Sequence, residues 1–153
     1  MIRDMQPQDV ARVSVLEAQL QPQPWQEHSI QQCCQNENYL NRVYISSQTI
    51  TGYYIAKQQL DVMELLTIGV QSNTQRQGLG SELLKDLFNY ARQHQCSDIH
   101  LEVRTSNLIA QKLYQQNEFK AVGIRKAYYP PLGHSCFREP NSREDAILMT
   151  RHL

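Results

Sequence analysis

The segment Gln71-Ser72-Asn73-Thr74-Gln75-Arg76-Gln77-Gly78-Leu79-Gly80-Ser81 decides how this chain is read. Seven mostly polar residues lead to a glycine-punctuated stretch, and Leu83, Leu84, Leu87, Phe88 and Ala91 then recur at the spacing of one apolar helix stripe. Residues 60–70, ahead of it, read as a strand. Beyond it Cys96-Ser97-Asp98 ends the connection, and Ile99, Leu101 and Val103 alternate with His100, Glu102 and Arg104 as a strand with one buried face does. Strand, loop, helix and strand make a βαβ unit.

Glycines let such a loop turn tightly and approach a ligand, and a helix N-terminus offers unpaired N–H groups carrying partial positive charge. The loop therefore either cradles a phosphate or serves as a plain connector that caps its helix. A nucleoside-triphosphate P-loop is excluded, because no lysine follows Gly78 or Gly80. A dinucleotide fingerprint needs a third glycine where Leu83 stands and a shorter approach to the first, although Glu102 falls near the distance of its ribose-binding acid.

Working towards the N-terminus, residues 49–57 and 40–46 are rich in β-branched and aromatic side chains and predict two strands of a hairpin, turning at Ser46-Ser47-Gln48. Residues 25–35 predict a helix. Val10, Val13, Leu16 and Leu20 predict another, opened by Pro7 and stopped by Pro22 and Pro24. Towards the C-terminus a helix is expected over 107–116, with Ala110, Leu113 and Tyr114 on one side, then strands over 119–128 and 146–151.

The chain has 153 residues, 41% of them hydrophobic and 20% charged, which predicts one domain over 1–153 and excludes disorder and collagen-like order. Fifteen basic residues balance fifteen acidic ones, so no whole-chain field draws it to nucleic acid or to an anionic membrane, and any anion site is local. Apolar runs such as 63–70, broken by Glu64, Thr67 and Gly69, fall short of the ~18 residues of a membrane span. The opening Met1-Ile2-Arg3-Asp4-Met5-Gln6-Pro7 has no secretory-signal pattern, so the cytoplasm is the expected location. Cys33, Cys34, Cys96 and Cys136 contain no Cys-x-x-Cys pair, and reduced thiols are expected. His134 and Cys136 stand close together but lack further ligands at familiar spacing, so no metal is expected.

The Gln-x-x-Gly-x-Gly pattern at Gln75 to Gly80 resembles the acetyl-CoA pyrophosphate loop of the GCN5-related N-acetyltransferase (GNAT) superfamily. Leu101-Glu102-Val103-Arg104-Thr105-Ser106-Asn107, then Ala110, Leu113-Tyr114, Phe119, Tyr128-Tyr129-Pro130 and Arg143-Glu144-Asp145-Ala146-Ile147-Leu148-Met149, resemble its bacterial ribosomal-protein-alanine branch, the RimI type. The resemblance implies an α/β fold with a mixed, mostly antiparallel, splayed sheet flanked by helices. It implies acetyl-CoA as cosubstrate, held by backbone of Arg76, Gln77, Gly78, Leu79, Gly80 and Ser81, with Ile68, Gly69 and Val70 lining the thioester and pantetheine arm. Asn107 is then a further cofactor contact, where preference alone makes it an N-cap. The acceptor it implies is the N-terminal α-amine, an alanine, of a small-subunit ribosomal protein.

The chemistry agrees with two of these residues. Acetyl transfer to an amine needs a base for the amine, a stabilised oxyanion and a proton for the leaving thiolate. Glu102, on the strand face opposite Ile99, Leu101 and Val103, is placed to take the amine proton directly or through water; otherwise it is a surface carboxylate paired with Arg104. Tyr114, whose ordinary pKa of about 10 exceeds the ~8.5 of a thiol, can supply the last proton; otherwise it packs on the sheet. The resemblance assigns these two roles at these positions. No cysteine or serine shows a nucleophile–base arrangement, so direct attack is expected without an acetyl-enzyme.

Two departures stand out. Where relatives carry Gly-Phe this chain has Asn117-Glu118-Phe119, and Asn117 is expected to take the left-handed cap. The link from Pro130 to Ser142 is longer than the family's, which keeps open a lysine or small-molecule amine as acceptor, and beside it a non-catalytic acyl-CoA-binding module. Trp25 resembles a family position near the peptide entrance and alone reads as a hydrophobic anchor.

Overall fold

In the computed structural model, which describes residues 1–130 and 143–153, four strands lie side by side in chain order: β1 (Ile2–Asp4), β2 (Tyr39–Ser46), β3 (Thr49–Gln59) and β4 (Val62–Val70). Each is antiparallel to the next. These strands belong to the first of two compact units, Met1–Ile99 with Leu153. β3 is one of its two inner strands, and residues 50–56 are buried without a break, as expected of a strand covered on both faces.

Alternation along β3 assigns those faces. Tyr53 and Ile55 join Val43, Leu16, Val13, Val10 and Ile30 in one core cluster under α1 (Val10–Leu20) and α2 (Glu27–Cys34). Tyr54 points the other way, and its hydroxyl donates to Asp86 Oδ2 at 2.7 Å on α3 (Leu79–Gln93). α3 buries the stripe read from sequence, with Leu83, Leu84 and Leu87 fully enclosed. Each such leucine contributes about 2 kcal/mol of transfer free energy.

Local chemistry sets the ends of these elements. Pro7 opens a one-turn 3-10 helix, Pro7–Asp9, that leads into α1, and the Asp9 carboxylate accepts from the Gln6 N–H at 2.7 Å while also binding Arg3 at 2.6 Å. The hydrogen bond from Arg3 outweighs partial burial and holds the Asp9 carboxyl below its ordinary range. The hairpin turn falls where the sequence placed it, with Ser47 and Gln48 at φ 48° and 63°, the paired left-handed conformation of a type I′ turn.

β4 carries an extra residue. Ile55 pairs with Thr67 but Ala56 pairs with Leu65, so Leu66 is bulged out of the ladder and packs against the α1 cluster.

The second unit, His100–His152, holds most of β5 (Asp98–Arg104), then α4 (Leu108–Gln116), β6 (Lys120–Tyr129) and β7 (Glu144–His152). β7 lies between β5 and β6 and is antiparallel to β6. The expectation for Asn117 is overturned. Its φ is −104°, and the left-handed position is the next residue, Glu118, at φ 67°. The reason lies in burial: the Asn117 side chain, only 8% exposed, donates to the Leu113 carbonyl at 2.8 Å. Exposed Glu118 turns instead, with its carboxylate 2.7 Å from Arg151.

β1 was not anticipated from sequence, and β7 begins two residues earlier than expected. No described helix is long and apolar enough to cross a membrane. His134, Cys136 and the link over 131–142 lie outside the described residues.

Candidate active site

The first unit contributes the strand end and the loop. After Val70 a second 3-10 turn, Ser72–Thr74, leads to Arg76 at φ 66° and Gly78 at φ 83°, and α3 begins at Leu79. Gly78 is needed for that backbone angle alone, since a side chain there would meet nothing within 4 Å. The loop is tied down from behind: Gln75 Nε2 donates to the Val70 carbonyl at 2.9 Å, Gln71 N–H to the Thr51 carbonyl at 2.8 Å, and Arg12 Nη2 to Gln71 Oε1 at 3.2 Å. Arg76, Gln77 and Gly78 are exposed, and buried Leu79 anchors the first helical turn.

The first hydrogen bond closed by α3 runs from Glu82 N–H to the Gly78 carbonyl at 3.0 Å. The amides of Leu79 and Gly80 therefore stand ahead of the helical ladder. A turn of exposed residues from Arg76 to Gly78, amides ahead of the helical ladder and a helix dipole behind them suit a pyrophosphate. Ile68 and Gly69 lie at the end of β4 that leads into it, directly across from Tyr54 and Tyr53.

The second unit holds the expected acid–base pair. Glu102 is half-buried on β5, between buried Leu101 and Val103, as the alternation required. Its ion-pair partner is Arg125 at 3.2 Å, not Arg104. Arg104 is occupied elsewhere: it is 7% exposed, pairs with Glu144 at 3.0 Å, donates to the Pro130 carbonyl at 3.0 Å and lies over the Tyr129 ring at 4.5 Å. Arg125 in turn lies over the Tyr128 ring at 4.1 Å.

Tyr114 is 7% exposed, on the buried side of α4, with its ring edge-on to Phe119 at 5.7 Å. Burial, followed by the neighbouring Tyr129, pushes its hydroxyl well above the ordinary tyrosine value. It therefore stays protonated through the neutral range, as a proton donor must. Tyr129 is pushed up to about 12 by burial and then by the charge of Glu102. Tyr129 is joined to Glu102 by a chain of contacts through Arg125 and Tyr128, whose ring meets that of Tyr129 at 4.9 Å, and it is a residue to which sequence reasoning assigned no role. The Tyr-Tyr-Pro run at 128–130 was its only signal.

Asn107 caps α4, its side chain accepting from Ala110 N–H at 3.1 Å. That bond uses the side-chain oxygen and leaves the amide nitrogen as a donor. Glu144 braces the same turn, accepting from Arg104, from Thr105 Oγ1 at 3.2 Å and from Ser106 N–H at 2.7 Å. Burial alone would raise its carboxyl, but the bonds from Ser106, Arg104 and Thr105 win and hold it below the ordinary range.

Trp25 is half-buried against the α1 cluster and lines an open groove with Ser29, Cys33 and Tyr39. Burial raises the thiols of Cys33, Cys34 and Cys96, so none of these is a ready thiolate.

The acetyltransferase (GNAT) family model matches residues 10–119. The [ribosomal protein bS18]-alanine N-acetyltransferase of Haemophilus ducreyi is 34% identical over 153 residues, covering 100% of both chains. The protein of that name from Escherichia coli K12 is 35% identical over 126 residues, 82% of this chain and 79% of its own. A crystal structure of the Escherichia coli ribosomal-protein-S18-alanine N-acetyltransferase superposes with a TM-score of 0.85 at 31% identity, covering 98% of this chain and 91% of that one. Arabidopsis thaliana NAA60 in complex with acetyl-CoA shares the fold, with a TM-score of 0.83 at 16% identity, covering 100% of this chain and 98% of its own.

These matches and the fold, mostly antiparallel strands with helices, define an N-acetyltransferase. The chain belongs to the GNAT family of acetyltransferases.

Proposed function

We propose that this chain, acting as one catalytic domain over 1–153, transfers the acetyl group of acetyl-CoA to the N-terminal α-amine of a ribosomal protein, alanine-first as in bS18. The observation that carries this reading is the full-length match at 34% identity to a bS18-alanine N-acetyltransferase. That match runs through both compact units, as does the family match over 10–119, which supports their acting together. The cytoplasm, where ribosomal proteins are made, is the corresponding location.

Backbone amides from Arg76 to Ser81 hold the pyrophosphate, Ile68 to Val70 line the thioester arm, and the Asn107 amide nitrogen adds a contact. Glu102 accepts the amine proton, directly or through water, as the nitrogen attacks the thioester carbon. A β4 amide donates to the oxyanion, the C–S bond breaks, and Tyr114 gives its proton to the departing sulfur. The raised thiols of the described cysteines support direct transfer over an acetyl-cysteine intermediate. An α-amine of pKa about 7.8 is roughly one-third neutral at pH 7.5, against about 0.1% for lysine, so an N-terminal acceptor asks less of the base.

The test is acetyl-CoA consumption with two peptides, one with a free alanine N-terminus and one N-terminally blocked with an internal lysine. Turnover of the free alanine peptide alone is expected. Preference for the blocked peptide would move the acceptor to lysine, and binding of acetyl-CoA with turnover of neither would remove the assignment.

A further inference from the structure

Glu17 is a carboxylate only 1% exposed, yet it sits in the apolar stripe of α1 beside Val13 and Leu16. A buried carboxylate is costly unless hydrogen bonds satisfy it. Its partners are Tyr53 Oη, donating at 2.5 Å to Oε2, Thr67 Oγ1 at 3.0 Å to the same oxygen, and Trp25 N–H at 3.2 Å to Oε1. Two of the three lead to one short piece of β4. Thr67 is on it, and Tyr53 lies directly across from Gly69 with its ring over that glycine, so close that a Cβ on Gly69 would be 2.6 Å from Tyr53 Cε1 and 2.7 Å from its oxygen. Ile68, between them, is held from α1 as well: Gln21 Nε2 donates to its carbonyl at 3.0 Å.

Thr67, Ile68 and Gly69 follow immediately on the Leu66 bulge, where the ladder from β3 is interrupted. A bulge re-aims the backbone, and where pairing with β3 resumes, at Thr67 to Val70, side chains from α1 and β3 add to the hold of the ladder. An oxyanion donor is effective only when held in place before the reaction.

We propose that Glu17, acting through Tyr53 and Thr67, is a positioning residue that fixes the β4 backbone amides at Ile68 to Val70 for the thioester oxygen. The proposal rests on the acetyl-CoA reading of the site. It separates two functions of the chain: the loop at Arg76 to Ser81 sets how tightly acetyl-CoA binds, and the Glu17 network sets how strongly its carbonyl is polarised. Through the Trp25 N–H the same carboxylate also fixes the end of the segment joining α1 to α2.

The test is infrared spectroscopy of acetyl-CoA labelled with ¹³C at the carbonyl, bound to the whole chain, with steady-state kinetics alongside. Tyr53→Phe keeps the ring over Gly69 and removes only the hydroxyl; Glu17→Gln and Glu17→Ala form a conservative and a disruptive pair. In the unaltered protein the bound carbonyl band falls below that of free acetyl-CoA. In Tyr53→Phe and Glu17→Ala the band returns towards the free position and kcat falls about tenfold or more, while KM for acetyl-CoA stays within about twofold. Glu17→Gln, which can still accept from Tyr53, is intermediate. A band that stays shifted in Tyr53→Phe overturns the proposal whatever happens to kcat, even if Glu17→Ala does not fold. No band shift in the unaltered protein despite binding also overturns it and leaves the acetyl-CoA reading standing, whereas no binding at all removes both.

Discussion

Gly69→Ala gives the sharpest check on the packing behind the thioester strand. The added methyl would stand 2.6, 2.7 and 2.7 Å from Cε1, Cζ and Oη of Tyr53, where ordinary contact begins near 3.4 Å, so the ring must retreat by roughly 0.7 Å. It has nowhere to go. Tyr53 is fully buried, and its hydroxyl is bound to Glu17. Overpacking a tight core costs about 1–3 kcal/mol, and losing a hydrogen bond to a charged group about 1.5–3 kcal/mol. Together they predict about 2.5–6 kcal/mol, which for a chain of this size lowers Tm by about 5–24 °C. Thermal and urea denaturation of the single variant and of Gly69→Ala in a Tyr53→Leu background measure it. Leucine lacks all three offending atoms, so the cost of the alanine should shrink by at least about 1 kcal/mol there. A Tm within about 2 °C of the unaltered protein, or an equal cost in both backgrounds, would refute the reasoning.

Glu102→Gln and Tyr114→Phe should each lower kcat about a hundredfold at pH 7.5. The Glu102→Gln deficit should narrow as pH rises past the amine's own pKa, because less deprotonation is asked of the enzyme; wild-type turnover in either variant removes that residue from the chemistry. Glu144 has a folded-state carboxyl below its unfolded value, so the stability it supplies is present above the ordinary carboxylate range, near pH 4.3, and is lost as pH falls below that through the depressed value. Denaturant midpoints from pH 6 to pH 3 should fall less steeply in Glu144→Gln, and an unchanged acid limb would contradict the bracing role. Asn107→Ala should cost about 1 kcal/mol through the lost cap and Asn107→Asp little. If the amide nitrogen also holds the cofactor, KM for acetyl-CoA rises in both, and a rise in neither leaves only the cap.

Much of the fold was legible because periodicity is a direct imprint of burial. The stripe from Leu83 to Ala91, the alternation from Ile99 to Val103 and the β-branched and aromatic stretch of β3 each followed from which faces are covered. β1 escaped because three residues carry too little pattern, and Asn117 was misread because residue preference for the left-handed region says nothing of a buried side-chain bond to Leu113. At the candidate site the loop was legible, since glycine at φ 83° leaves a chemical signature, whereas the partner of Glu102 was not. Arg104 is nearer in sequence, but it is drawn inward to Glu144, and Arg125 of β6 stands beside Glu102 instead.

The sequence by itself determined the order of the helices and the longer strands, the glycine-punctuated turn at Arg76 to Gly80 and the residue types able to move protons, because each depends on local spacing or intrinsic chemistry. Only the tertiary structure decided what those groups face. Tyr129 feels the Glu102 charge, Tyr114 is raised by burial, and a glutamate in an apolar helix stripe is satisfied by a tyrosine and a threonine 36 and 50 residues away, the tyrosine in turn pressing on the strand at Gly69. Such contacts join residues distant along the chain, and electrostatics and packing act through space, so no local pattern encodes them.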